Sequence, residues 1–419
     1  MRLIPVAYLA SYLLSLLGNS IAGIALPLIV LQITGSALSA GTVAAATAIP
    51  AVLAGLLLGV VIDRINRRTS SVVTDLISAA SIAALPIVDM ISGLSLGWFI
   101  LFGIVGSLGD VPGMTAREAL LPAIVRHSGV SAERLIGIRE VLGAVALLLG
   151  PAAAGTLMVM FEGSTVLWIT AATSLAAALL TLLIPHRVGR IVATGGAPAS
   201  PGPTSGWAQL REGWRVLFRS RFLVATTALS VVMVIVLASL QGLILPVYFT
   251  LEQQPGMLGF VLSALAAGML VGGAIYAMAG TRGRRRVWFL VGLLGSTLGF
   301  GILATLSSVW VVFAGAFVVG LSNGLFGSLV GVLMIERIPE QMRGRIMGTQ
   351  NAIMTAAPAI GIMGAAVLTE YSGVHLAAIV LAAFWGIALV IGLCARSLRN
   401  LESTPGQLEG GGTEGAVDA

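Results

Sequence analysis

Long apolar segments recur along the whole chain, and they constrain its fold more than any other feature. Of the 419 residues, 57% are hydrophobic and 10% are charged, whereas a soluble domain carries about 25% charged residues. A helix needs about 20 apolar residues to cross a bilayer. Segments of this length predict an all-α membrane protein with twelve transmembrane helices, at residues 5–33, 37–62, 70–91, 95–124, 134–160, 165–185, 221–249, 257–280, 286–306, 309–335, 344–370 and 374–395.

The charged residues between these segments alternate in sign. One set of connections carries arginines, as at Arg64, Arg67 and Arg68, and the other set carries Asp89, Glu162, Glu252 and Glu370. Basic residues stay on the cytoplasmic side of a membrane. We therefore expect a multi-pass protein of the plasma (cell inner) membrane with both termini in the cytoplasm. The net charge of +6 reflects these short loops, so nucleic acid is not an expected partner.

The chain divides into two similar halves. We expect six-helix bundles at residues 1–186 and 221–400, a cytoplasmic linker at 187–220 with a surface helix over 207–218, and a disordered tail at 401–419. Leu26-Pro27 matches Leu245-Pro246, and Arg64 matches Arg282, at an offset near 218. Such a repeat predicts bundles related by a pseudo-two-fold axis, with substrate bound between them. Chance matching in a low-complexity apolar chain is the alternative.

Two motifs carry a resemblance to a known family. The run Gly59-Val60-Val61-Ile62-Asp63-Arg64-Ile65-Asn66-Arg67-Arg68 resembles motif A of the major facilitator superfamily, with Asn66 at a usual glycine position. Gly150-Pro151-Ala152-Ala153-Ala154-Gly155 resembles the antiporter motif, motif C, but has Ala154 where a second glycine is common. Thr34-Gly35-Ser36-Ala37 and Arg343-Gly344-Arg345 are similar to stretches of the drug-exporter branch, which contains macrolide-efflux and enterobactin-exporter proteins. The resemblance covers nearly all of residues 5–396.

The resemblance implies roles for both motifs. In motif A, Asp63 would accept hydrogen bonds from the start of helix 11, and Arg64 or Arg67 would pair with a nearby acid, Asp75 or Glu118, to form a cytoplasmic gate. The positive-inside rule alone also accounts for Arg67 and Arg68. In motif C, Gly150, Pro151 and Gly155 would seal helix 5 against helix 8. A proline kink that serves packing alone is the alternative.

Charged residues inside predicted spans mark function by default. Asp110 lies near the middle of helix 4. Burial disfavours the charged form of a carboxyl group, so Asp110 is the first candidate for proton coupling, ahead of Glu118 and Glu140. Substrate contact and structural pairing remain open for Asp110. Arg117 and Arg139 are candidate charge partners, and with Glu118 and Glu140 they could form two ion pairs between helices 4 and 5.

The expected function is transport. The candidate cavity residues are Asn19, Met114, Met233, Gln241, Phe317, Asn323 and Phe326, a set that suits a bulky, largely apolar small molecule. The leading hypothesis is a proton antiporter that exports drugs or natural products through alternating access. A non-coupled facilitator or importer of a small metabolite is the alternative from a second class, and a membrane sensor or assembly partner is a third.

The sequence predicts neither an enzyme nor a cofactor-binding protein. We find no nucleophile–base set, and one cysteine with three scattered histidines offers no metal site. One cavity per chain makes a monomer the default expectation.

Overall fold

A computed structural model describes residues 3–62, 65–189, 218, 220–280, 284–338, 340–395 and 398. The described residues form twelve long helices, as the apolar segments predict. The helices are α1 (Leu3–Thr34), α2 (Ala37–Ile62), α3 (Arg67–Ser92), α4 (Leu96–Ser128), α5 (Ala132–Met160), α6 (Gly163–Leu182), α7 (Arg221–Leu251), α8 (Pro255–Ala279), α9 (Arg285–Ala304), α10 (Val309–Arg337), α11 (Glu340–Ser372) and α12 (Val374–Cys394).

Short polar sequences end one helix and start the next. Asn66 caps α3 by accepting hydrogen bonds from the backbone N–H groups of Arg68 and Thr69. Gly129 follows α4 at φ 67°, a left-handed conformation that glycine adopts at little cost. Ser131 then caps α5. Because such connections span only a few residues, neighbouring helices run antiparallel.

The helix contacts give the two halves the same plan. In the first half, α1 packs on α5 and α3 packs on α6. In the second half, α7 packs on α11 and α9 packs on α12. Between the halves, α2 packs on α11 and α5 packs on α8. Exchanging the halves converts the α2–α11 pair into the α8–α5 pair, as a pseudo-two-fold axis requires.

The bundle has two chemically different ends. We call one the arginine end, because its connections carry Arg67, Arg68, Arg126, Arg187, Arg284 and Arg286. We call the other the acidic end, where Asp89, Glu162, Glu252 and Glu370 lie. The predicted linker enters the described part of the chain as a 3₁₀ helix at His186–Gly189. The predicted surface helix, apart from Phe218, and the predicted tail lie outside the described residues.

Candidate functional site

A cavity of about 340 Å³ opens among α1, α2, α3 and α4, in the half of the bundle nearer the acidic end. Its wall is mostly apolar, and Phe99 and Phe102 lie on it. Gly242 of α7 and Ile362 of α11 close it from the second half. A π-helical turn at Leu240–Ile244 lies at this point of α7; such turns are frequent at functional sites. The polar side chains on the wall are Asn19, Thr47, Ser78, Ser81, Ser107 and Asp110.

Asp110 is the carboxylate of this wall. The hydroxyl of Ser78, on α3, donates a hydrogen bond of 2.6 Å to Asp110 Oδ1. The neighbouring Gly109 makes this possible, since a Cβ there would lie 2.6 Å from the Thr74 carbonyl oxygen. Close approach of α3 and α4 therefore places an ionisable group, held by one hydroxyl, on an apolar cavity.

Arg117 pairs with Asp75 between α4 and α3, and both side chains are 5% exposed. This corrects the expectation that Arg117 pairs with an acid of α5. The hydroxyl of Tyr8, on α1, also donates to the Arg117 carbonyl oxygen at 3.2 Å. Breaking a buried ion pair leaves an uncompensated charge and is costly. The pair thus ties α3 to α4 on the arginine side of Asp110.

Arg139 joins three helices at the same level. Its guanidinium lies 3.5 Å from Glu118 on α4 and 3.6 Å from Glu140 on α5. The Tyr12 ring of α1 lies under the guanidinium, 5.5 Å from it. Arg139 therefore serves both glutamates, where two separate arginine–glutamate pairs were expected. The side chains of Glu118 and Glu140 remain 61% and 69% exposed.

The arginines of the motif A stretch bind backbone carbonyls of their own half. Arg67 donates to the Ala119 carbonyl oxygen on α4 at 2.9 Å, and Arg68 donates to that of Leu182 on α6 at 2.8 Å. Arg67 therefore has a carbonyl partner, where Asp75 or Glu118 was considered. Gly59 lies in the last turn of α2. Asp63 and Arg64 lie outside the described residues, so their gate remains a prediction.

The motif C stretch lies where α5 touches α8. A Cβ on Gly155 would lie 2.3 Å from the Gly256 carbonyl oxygen, and one on Gly259 would lie 2.1 Å from that of Pro151. Gly150 instead faces α1, where a Cβ would lie 2.4 Å from Ser20 Oγ. Helix α5 runs unbroken through Pro151. Glycines thus allow backbone-to-backbone contact between the two halves.

Comparison with known proteins decides the family. The sequence model of the Major Facilitator Superfamily matches residues 8–252 and 227–414. The chain belongs to the major facilitator superfamily. Membership of this transporter superfamily makes the protein a transporter rather than an enzyme, as its sequence predicts.

Curated superfamily members resemble the chain over most of its length. The multidrug efflux pump Tap of Mycobacterium tuberculosis is 31% identical over 413 residues, which cover 94% of this chain and 93% of that protein. Macrolide efflux protein A of Streptococcus pyogenes is 23% identical over 371 residues, 87% of this chain and 89% of that protein.

Solved structures of superfamily transporters share the fold. The nucleoside transporter NupG superposes with a TM-score of 0.75 at 15% identity, over 96% of this chain and 100% of that chain. An inward-facing bacterial homologue of ferroportin gives a TM-score of 0.74 at 16% identity, over 95% and 99%. These likenesses establish the major facilitator fold.

The candidate cavity residues separate into groups. Asn19 lies on the cavity wall. Met233 and Phe326 are 2% and 3% exposed in the apolar core, and Phe326 packs against the Phe289 ring at 5.9 Å. Their assignment to a cavity is therefore wrong in this conformation, because they fill the second half's interior. The remaining four are partly or largely exposed and lie off this wall: Met114, Gln241, Phe317 and Asn323.

The polar residues of α3 on the cavity wall were not predicted from the sequence. Ser78 binds Asp110, and Ser81 lies one turn further along the same face. A sequence pattern could have indicated them, since four serines recur within this apolar segment: Ser70, Ser71, Ser78 and Ser81. Serines that repeat at helical spacing in a predicted span mark a face turned towards protein or a cavity.

Gly155→Ala should destabilise the protein by about 1–3 kcal/mol, since the added methyl group would meet backbone that cannot move aside. Gly137→Ala is the matched control on α5, where nothing lies within 4 Å. That change should be neutral or stabilising by up to about 1 kcal/mol. Thermal unfolding in detergent measures both. Equal midpoints for the two variants would contradict the close α5–α8 contact.

The second arginine turn contains an ion pair that responds to pH. Arg285 donates two hydrogen bonds to Glu336, of 2.5 and 2.7 Å, and these hold the pKa of the Glu336 carboxyl below its ordinary value. A lowered pKa stabilises the folded state above the ordinary glutamate pKa of about 4.3 and loses that effect as the pH falls below it.

Glu336→Gln should therefore cost less than about 1 kcal/mol at pH 7, because the pair is partly exposed. The difference from the unmodified protein should shrink as the pH falls below the ordinary glutamate pKa of about 4.3, and it should vanish once the carboxyl of the folded state is protonated. Unfolding midpoints at pH 7 and at a series of lower pH values test the prediction, and a difference that does not shrink below about pH 4.3 would contradict it.

Proposed function

We propose that the protein exports largely apolar small molecules, drugs or natural products, in exchange for protons. The observation that carries the proposal is the cavity, where Asp110 is the carboxylate of a mostly apolar wall. A volume of about 340 Å³ lies in the range of drug-sized pockets. Relatives named as multidrug and macrolide efflux proteins support the same substrate class. Because one chain encloses the cavity, the working unit is a monomer.

The arginine end is cytoplasmic in this proposal. The positive-inside rule places arginine-rich short loops on that side, and the alternation of charges along the described residues is consistent. The protein then lies in the plasma membrane with both termini inside the cell.

The halves meet tightly towards the acidic end. Gly155 contacts Gly256 there, and Ser263 donates to the Leu148 carbonyl oxygen at 2.6 Å. Nearer the arginine end, Glu118 and Glu140 are more than half exposed. Exposed carboxylates within membrane spans are too costly to face lipid, so they line water. This arrangement corresponds to a transporter open towards the cytoplasm.

Asp110 would couple the proton gradient to export. Burying a charged carboxylate against an empty apolar cavity costs several kcal/mol. We therefore expect the cavity to switch the side of the membrane to which it opens in only two states. In one the substrate is bound, and in the other Asp110 is protonated and neutral. Ser78, which binds the carboxyl in this structure, would hold it in place in both. The Asp75–Arg117 pair would keep the adjacent turns of α3 and α4 together during the movement.

A susceptibility panel tests the proposed function. A bacterial host that lacks its own efflux pumps would express the chain and be exposed to macrolides and other apolar antibiotics and dyes. Raised inhibitory concentrations for several apolar compounds are expected, with no change for the empty vector. Unchanged or lowered values throughout, with the protein present in the membrane, would contradict export and favour the importer or facilitator.

A further inference from the structure

A contact at the acidic end joins the two halves through a carboxylate. Glu370 lies near the end of α11, and its Oε2 accepts hydrogen bonds of 3.2 Å from the Ser36 hydroxyl and from the Leu38 backbone N–H. Ser36 and Leu38 lie at the start of α2, more than 330 residues away in sequence. The contact therefore bridges the bundles.

The start of α2 has a place for this carboxylate. Ser36 caps the helix by accepting from the Ser39 backbone N–H at 3.2 Å. In a capping box, the residue at the Ser39 position is a glutamate or glutamine that completes the cap. Here that position is a serine, and Thr34 Oγ1 accepts from the Ser36 backbone N–H at 3.3 Å. Glu370, from the other half, accepts from the next free N–H, that of Leu38. A negative charge at a helix N-terminus is stabilised by the helix dipole.

Tight packing one turn further along shows that α2 and α11 meet along a face. A Cβ on Gly41 would lie 2.3 Å from Ala366 Cβ. Ala37 precedes Gly41 by four residues, on the same face of α2, and is 7% exposed. Separation of the halves at this end must break the Glu370 contacts and expose that face.

We propose that Glu370 is a latch that holds the acidic end closed. The inference rests on the proposed alternating-access cycle, but its geometry is independent of Asp110 and of any substrate. It also gives α2 and α11 a reciprocal arrangement. An acid near the end of α11 holds the start of α2, whereas motif A predicts that Asp63, after α2, holds the start of α11. The two latches would close opposite ends in alternate states.

Alkylation of a cysteine reporter tests the latch. The native cysteine would be removed by Cys394→Ser, and Ala37→Cys would report opening in nanodiscs through its rate of reaction with a maleimide. Glu370→Gln should raise this rate about two- to fivefold, since it removes the charge at the helix N-terminus. Glu370→Ala should raise it further, because both hydrogen bonds are lost.

Glu162→Gln is the matched control. Glu162 is an exposed acid at the same end, before α6, and its side chain makes no capping hydrogen bond. Glu162→Gln should not change the rate at which the Ala37→Cys reporter reacts with the maleimide. Rates unaltered by both Glu370 variants, or raised equally by Glu162→Gln, would overturn the latch.

Unfolding midpoints distinguish opening from unfolding. The midpoints of the Glu370 variants should stay well above the assay temperature, and a rate increase that follows the unfolded fraction would also overturn the latch. The alkylation assay needs no substrate, so its result is independent of the susceptibility panel. The latch can therefore fail while export is observed, and export can fail while the latch is observed.

Discussion

Asp110→Asn should abolish export driven by a proton gradient while the protein remains folded. Asparagine has nearly the same shape as aspartate, and its amide oxygen can accept the Ser78 hydrogen bond, but it cannot gain or lose a proton. Transport in proteoliposomes with an imposed pH gradient should fall to the level of protein-free vesicles. Binding of an apolar substrate should survive, because the rest of the cavity wall is unchanged.

The control for this variant is Asp89→Asn. Asp89 lies on α3, the helix that packs against Asp110, but it is exposed. It accepts a hydrogen bond of 3.0 Å from Ser164 at the acidic end. Its replacement should leave gradient-driven transport close to the unmodified level. Full gradient-driven export by Asp110→Asn would remove Asp110 from the coupling mechanism and direct attention to Glu118 and Glu140.

Breaking the buried pair should have the largest effect on stability. Arg117→Met leaves Asp75 charged without its partner, and the expected loss is about 3–5 kcal/mol. Combining Arg117→Met with Asp75→Asn removes both charges and should recover much of that loss. Unfolding in detergent measures the single and double variants as a double-mutant cycle.

The exposed Arg285–Glu336 pair provides the comparison. Glu336→Gln should change the free energy of unfolding by less than about 1 kcal/mol. A loss from Arg117→Met no greater than this, or no recovery in the double variant, would contradict a tightly coupled pair between α3 and α4.

The sequence predicts the helices well because lipid imposes a simple rule. Every backbone polar group in a bilayer must be satisfied, so a long apolar segment becomes a helix. The predicted bounds differ from the structure mainly at helix ends. Helix α4 continues to Ser128 and α11 begins at Glu340, because charged turns extend the helices beyond the apolar core.

Partners across helices are harder to predict. Residue spacing places Asp110, Met114 and Arg117 on one side of α4, but it does not show which helix lies against that side. The packing of α3 decides that Arg117 meets Asp75 and that Asp110 meets Ser78.

Apolar side chains are equally ambiguous. The residue types of Met233 and Phe326 suit lipid, a cavity and the protein core equally well. Packing places both side chains in the core. The contact between Glu370 and the start of α2 is also not predictable from the sequence, because it joins residues from opposite halves.

Proton movement during transport is the most direct test of the central claim. Proteoliposomes with an acidic, dye-loaded lumen would receive the compound that gives the strongest effect in the susceptibility panel. Exchange predicts that each addition alkalinises the lumen, and that the signal disappears in Asp110→Asn. Accumulation of the compound without any change of lumenal pH would contradict proton-coupled export and indicate an uncoupled transporter.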